Sequence, residues 1–278
     1  MTASTSRRAV LAATLFAPAI ARAQGDYPAR PITIISAGAA GGPTDTITRI
    51  VADALGRQLP QPVVVEATGG SLVAPQKLVN SRPDGYTLMN QNVGLTAAAT
   101  LYRRLPFAMP GAFAPLGLVS DAAMTVVSRP NFPARTMAEL MATVKREGET
   151  LNLATAGLSS AANLCGLLLQ QAAGARATTV VFRGTGPAIS EVLADRIDLL
   201  CDQATNTVPH IRQGRIKVFA VSAPQRLPGL PDVPTTAETG FPSILMSTWH
   251  GFYAPTGTPE PIQERLAAAI SAALQDER

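Results

Sequence analysis

The 278-residue chain carries 23 Lys and Arg against 19 Asp and Glu, a formal charge of +4, with 46% hydrophobic but only 5% aromatic residues. Residues 1–23 hold Arg7, Arg8 and Arg22 and no acid, so beyond Ala23 the balance falls to 20 basic against 19 acidic. Near-neutrality without Lys/Arg clustering excludes a nucleic-acid surface, and the remaining 255 of the 278 residues suit one large domain or two ordinary ones.

At the N-terminus, Arg7 and Arg8 precede the apolar run 9–21, and Ala21-Arg-Ala23 supplies a small-x-small cleavage motif. This reads as a signal peptide removed after Ala23, too short to span a membrane. Ser6-Arg-Arg-Ala-Val-Leu11 also partly fits a twin-arginine signal, so the export route stays open. No later apolar run approaches ~18 residues.

From residue 27 the pattern alternates. Strands are predicted at 32–35, 62–66 and 86–89, with helices at 44–59 and 71–82; the third strand leads into Asn90-Gln-Asn92. Residues 114–127 form a long apolar run broken by Asp121 and stopped by Pro130. Residues 136–147 form a helix opened by a capping box, Thr136 with Glu139. The second half repeats the theme: strands at 151–154, 178–182, 197–201 and 216–222, helices at 163–173, 188–194 and 207–213. Alternating βα units predict an α/β fold with a parallel-dominated sheet covered on both faces.

Two small-residue loops join a strand to a helix, Ser36–Asp45 and Ala154–Ala161. Such a loop is either a bare tight turn or an anion site, since first-turn N–H groups lack intrahelical partners and the helix dipole favours negative charge. Gly38, Gly41 and Gly42 match neither G-x-G-x-x-G nor a P-loop. The extended segments 114–130 and 245–255 suggest two lobes, each presenting a helix N-terminus across a cleft to clamp one anion.

Cys165 and Cys201 are either a disulfide, permitted in an oxidising compartment, or two buried free thiols. His210 and His250 stand outside any metal-binding spacing, so neither metal nor cofactor is expected. A hydrolase is disfavoured: Gly157-Leu-Ser-Ser-Ala161 lacks the last glycine of G-x-S-x-G, and nothing places Cys165 beside His210 or His250. His250, after Trp249, reads as a packed or cleft-rim residue.

Taken together, these segments resemble the periplasmic solute receptors of tripartite tricarboxylate transporters, the Bug or TctC-type binding proteins. The resemblance is carried by Tyr27-Pro-Ala-Arg-Pro-Ile-Thr33, Ala39-Ala-Gly-Gly-Pro-Thr-Asp45, Pro62-Val-Val-Val-Glu66, Arg82-Pro-Asp-Gly-Tyr-Thr-Leu88 and 98–107. Arg183-Gly-Thr-Gly-Pro-Ala188, Asp195-Arg-Ile-Asp198, Leu230-Pro-Asp-Val-Pro-Thr235 and 249–259 complete it. It implies a two-lobed Venus-flytrap fold with two crossing strands as hinge, lobe one at 24–125 plus 248–278 and lobe two at 126–247. It implies a monomeric, periplasmic receptor that binds a small carboxylate-bearing solute and delivers it to a membrane permease. A sensor signalling to a membrane partner uses the same closure and stays open as an alternative.

The resemblance assigns the ligand to Gly38, Ala39, Ala40, Gly41, Thr44 and Asp45 of the first loop and Thr155, Ala156, Gly157, Ser159 and Ser160 of the second. Asp202, at a strand end, has two readings, a reader of the distal part of the solute or a cap for the following helix; Arg183 likewise pairs with a second carboxylate or is structural. Where the family carries Pro-aromatic this chain has Ala37-Gly38, which implies a wider pocket. Ser-His-Leu is replaced by Ala162-Asn-Leu164, and Tyr-Lys-Gly by Phe182-Arg-Gly184, where arginine adds a planar fork. The chain stops at Arg278 inside a helical pattern, where the resemblance implies a further return to lobe one.

Overall fold

The computed structural model describes residues 27–276; the expected signal peptide lies outside them. In chain order the elements are β1 (Ile32–Ser36), α1 (Pro43–Gln58), β2 (Val63–Ala67), α2 (Val73–Val79), β3 (Thr87–Asn92), α3 (Gly94–Leu101) and β4 (Phe113–Ser128). Then come α4 (Met137–Glu147), β5 (Asn152–Thr155), α5 (Ala161–Ala173), β6 (Thr178–Val181), α6 (Thr185–Leu193) and β7 (Leu199–Gln203). The chain continues with α7 (Ala204–Arg212), β8 (Lys217–Ser222), β9 (Ser247–Pro255) and α8 (Glu260–Ala273).

The strands run in the order β2-β1-β3-β9-β4-β7-β5-β6, with β8 also on β4. Its two ends are parallel, β2-β1-β3 and β7-β5-β6, as βα crossovers require. The centre is antiparallel, which the alternating pattern does not reveal. β9 pairs with β3 on one side and with Phe113–Ala123 of β4 on the other, while Met124–Ser128 pair with β7 and β8. One 16-residue strand therefore serves both halves, with β9 as the second crossing segment.

The apolar cores divide at the same place. Ile32 and Ile34, spaced at the strand period of two, pack with Val51, Leu55, Leu116, Phe252 and Leu266, while Ile35 on the other face of β1 packs with Leu78, Met89 and Phe113. Beyond Ala123, Met124 and Val126 join Leu140, Leu153, Leu169 and Phe219, while Val127 joins Val192 and Leu200. Helix α5 contributes Ala161, Cys165, Leu169 and Ala173, one residue per turn and a single apolar stripe. Half of the expected capping box forms: Thr136 Oγ1 accepts from the Glu139 N–H at 3.2 Å, while Glu139 reaches past Thr136 to the Arg135 N–H at 2.7 Å.

Three local expectations are corrected. Helix α3 was not expected, because Gly94-Leu-Thr-Ala-Ala-Ala-Thr-Leu101 is short and shows no clear period. Helices α6 and α7 each begin three residues early, since Pro187 and Asn206 fit a first turn where the N–H groups are unused anyway. The last helix ends at Ala273 rather than running to Arg278.

Candidate functional site

In a parallel α/β sheet, ligands gather where strands end and helices begin. That is what this sheet builds. A cavity of about 60 Å³ lies between the two parallel ends, lined from both halves. With roughly 10–15 Å³ needed per water, it holds about four to six waters or one small solute. Five helices start at its edge. Gly42, Pro43 and Thr44 open α1, and Gly94 opens α3; Ser160, Ala161 and Ala162 open α5, Gly184 and Thr185 open α6, and Gln203 caps α7. Some first-turn N–H groups are already taken, that of Gly94 by Asn92 Oδ1 and that of Asn163 by Ser160 Oγ, but the helix dipoles and the remaining N–H groups favour an anion in the cavity.

Of the residues expected at the site, Gly38, Ala39, Thr44, Ala156, Ser160, Arg183 and Asp202 line the cavity. Ala40, Gly41, Asp45, Thr155, Gly157 and Ser159 do not; Ala40 and Gly41 are exposed, while Asp45, Thr155 and Ser159 are buried behind the wall. These form the frame. The Asp45 carboxylate accepts the Gly41 N–H at 3.0 Å and the Arg49 Nε–H at 3.0 Å, so it ties the loop to the first turn of α1. Thr155 Oγ1 stands 3.2 Å from Ser160 Oγ, which accepts the Asn163 N–H at 3.2 Å and caps α5.

Sequence reasoning missed Gly42, Pro43, Gly70, Ser71, Gln91, Asn92, Gly94, Ala161, Gly184, Thr185 and Gln203 as lining residues. The polar tail Asn90-Gln-Asn92 was a usable signal, because polar residues at the carboxyl end of a buried parallel strand have few other uses. Gly70 and Ser71 carry no such mark.

Beneath the cavity a histidine of β9 joins β4 to the first loop. His250 of β9 is wholly buried. Its Nε2 lies 3.3 Å from Thr44 Oγ1 and its Nδ1 3.0 Å from Ser120 Oγ of β4, while Asn92 Nδ2 of β3 donates to Thr44 Oγ1 at 3.3 Å. Burial lowers its pKa to about 4, against a smaller opposing effect of Asp121. The ring is neutral at pH 7 and serves as a bracket.

The two halves meet along the rim almost backbone to backbone. The Gly70 N–H donates to the Arg183 carbonyl at 3.1 Å. A methyl on Gly184 would lie 2.5 Å from Ala39 Cβ, and one on Gly94 would lie 2.9 Å from the Ser159 carbonyl oxygen. Only glycine permits that approach. Arg183 is exposed, lines the cavity, and has no carboxylate partner among the described residues. Asp202 lines the cavity and accepts from Asn206 Nδ2 at 2.5 Å in the first turn of α7.

The Cys165–Cys201 bridge is not formed. Both are buried free thiols, and a mutual hydrogen bond together with burial raises the Cys201 thiol well above its ordinary value. Among the described residues Cys165 faces Cys201, while His250 is committed to Thr44 and Ser120.

Among the described residues no helix is long and apolar enough to cross a membrane. The family model described as tripartite tricarboxylate transporter family receptor matches residues 47–277. The UPF0065 protein of the TAR-I ttuE-ttuC' intergenic region of Agrobacterium vitis is 41% identical over 271 residues, 96% of this chain and 78% of that relative. Among solved structures, the periplasmic binding protein BugD superposes with a TM-score of 0.87 at 38% identity, over 90% of this chain and 85% of that one. MatC from Rhodopseudomonas palustris with bound malate gives 0.86 at 35%, over 90% and 86%. The fold is that of the two-lobed periplasmic binding proteins.

Proposed function

Because this chain belongs to the tripartite tricarboxylate transporter receptor family, we propose that it captures a small carboxylate-bearing solute in the periplasm and delivers it to a membrane permease. The observation that carries this reading is the convergence of five helix N-termini on one small cavity from both halves of the sheet. Lobe one would comprise 24–125 and 248–278, and lobe two 126–247, near the point where β4 changes partners. Gly38, Ala39 and Thr44 hold the solute from one side; Ala156, Ser160 and Arg183 hold it from the other. Asp45, Thr155, Gly157 and Ser159, with Ala40 and Gly41, keep the loops in shape.

Magnitudes support backbone recognition. Four to six N–H bonds to a carboxylate at roughly 1.5–3 kcal/mol each sum to about 6–18 kcal/mol, so all but the weakest sets exceed the ~8 kcal/mol of micromolar binding and offset part of the entropic cost of association. Binding across both lobes favours the closed arrangement, which a membrane partner then recognises. Malate bound to MatC is in keeping with this solute class.

The test is thermal unfolding alone and with mono-, di- and tricarboxylates and aromatic acids. A solute at about a hundred times its Kd should raise the midpoint by roughly 5–10 °C, by mass action on the folded state. A cooperative melt that none of these acids shifts would reject the reading.

A further inference from the structure

A cavity that favours an anion has no obvious need of an acid, yet Asp202 lines this one and is the sole carboxylate among the described lining residues. It is the penultimate residue of β7 and is 1% exposed. Its described partners are neutral: Asn206 Nδ2 at 2.5 Å, the Thr185 side chain and the Gln203 N–H. Gln203, next to it in the same wall, is 3% exposed, and its Oε1 has no partner among the described residues. Framing α7 accounts for the Asn206 contact but leaves the Gln203 oxygen unexplained. The wall therefore holds a buried carboxylate with only neutral hydrogen-bond partners beside an orphan amide oxygen, a surplus of acceptors. Leaving buried acceptors unmatched costs free energy, and a donor on the solute removes that cost.

We propose that the solute presents a hydroxyl or ammonium group to Asp202 and Gln203 while the helix N-termini hold its carboxylate, so that hydroxy- and amino-carboxylates are the preferred class. This rests on the carboxylate-receptor reading above. Burial lifts the Asp202 carboxyl to about 6, only partly offset by its neutral donors, so at neutral pH it is an ionised acceptor in poor company.

Titration calorimetry of the full chain with solutes matched but for one group decides the matter: propionate against lactate and alanine, succinate against malate and aspartate. Within at least one set, the hydroxyl or amino member should bind at least about tenfold more tightly than its parent, the worth of one hydrogen bond to a charged group. Asp202→Asn, which keeps the shape but removes the charge, should shrink that ratio to within about threefold. Equal binding of parents and derivatives by the unaltered protein overturns the proposal, whatever the variant does, and so does an undiminished ratio in a folded Asp202→Asn protein. Failure of every member of every set to bind would overturn the carboxylate reading itself, and this proposal with it.

Discussion

Asp45 shows how a side chain serves a cavity it never touches. Its carboxylate, 2% exposed, holds the Gly41 N–H and Arg49, so Asp45→Ala removes a capping interaction of about 1 kcal/mol. The melting midpoint should fall by roughly 2–4 °C, and solute affinity should drop as the first loop loosens. A folded variant with unchanged affinity would refute the framing role. His250 predicts a pH effect whose sign follows from its lowered pKa. The folded value is about 4 against 6.5 unfolded, so its contribution is complete above pH 6.5 and lost as pH falls through 4. Asp202 acts oppositely: raised from 3.8 to about 6, its contribution is complete below pH 3.8 and lost as pH rises through 6. Melting midpoints between pH 6.5 and 4 should decline less steeply for His250→Gln than for the unaltered protein, and parallel declines would clear His250 of this part. The paired thiols give a third expectation at this scale. A thiol reagent should find neither cysteine in the native protein and both after denaturation, whereas two thiols still missing after denaturation would mean a bridge.

At the scale of elements, the start of α6 carries the sharpest test of closure. Gly184 has φ 167°, extended backbone that any residue adopts. An added methyl therefore meets resistance only from Ala39, 2.5 Å away in the opposite half. Gly184→Ala should bind its solute at least about tenfold more weakly, because the rim can then seat only by displacing Ala39. Undiminished affinity would mean that the rim does not need to seat this closely. Much at this scale was legible in the sequence. β1 shows its period of two, Thr136 and Glu139 announce α4, and the small-residue loops mark two of the five helix starts. What stayed hidden has a common cause. Gln91, Asn92, Gly70 and Gln203 reach the cavity because of where their strands and loops end in space, and short segments such as α3 lack the period that would betray them.

For the whole molecule, β4 is the strand that pairs in both halves, and His250 of the adjoining β9 is hydrogen-bonded to Ser120 of β4 and to Thr44 at the cavity. The hinge and the first loop are thus physically joined. Solution scattering should record a smaller radius of gyration once solute is added, and Gly184→Ala should stay expanded at the same occupancy; equal contraction in both would detach the glycine rim from the motion. The glycine rim also bears on how such a receptor changes hands between solutes. Its contacts run from Gly70 to the Arg183 carbonyl, and from Gly184 and Gly94 to backbone or a lone methyl, so shutting depends little on which side chains stand inside. Positions such as Ala37, Ala162, Asp202 and Gln203 are then free to drift toward a new cargo while the lid keeps its seat. A lineage can trade one nutrient for another by a few substitutions in the wall, without re-evolving the jaw that bites.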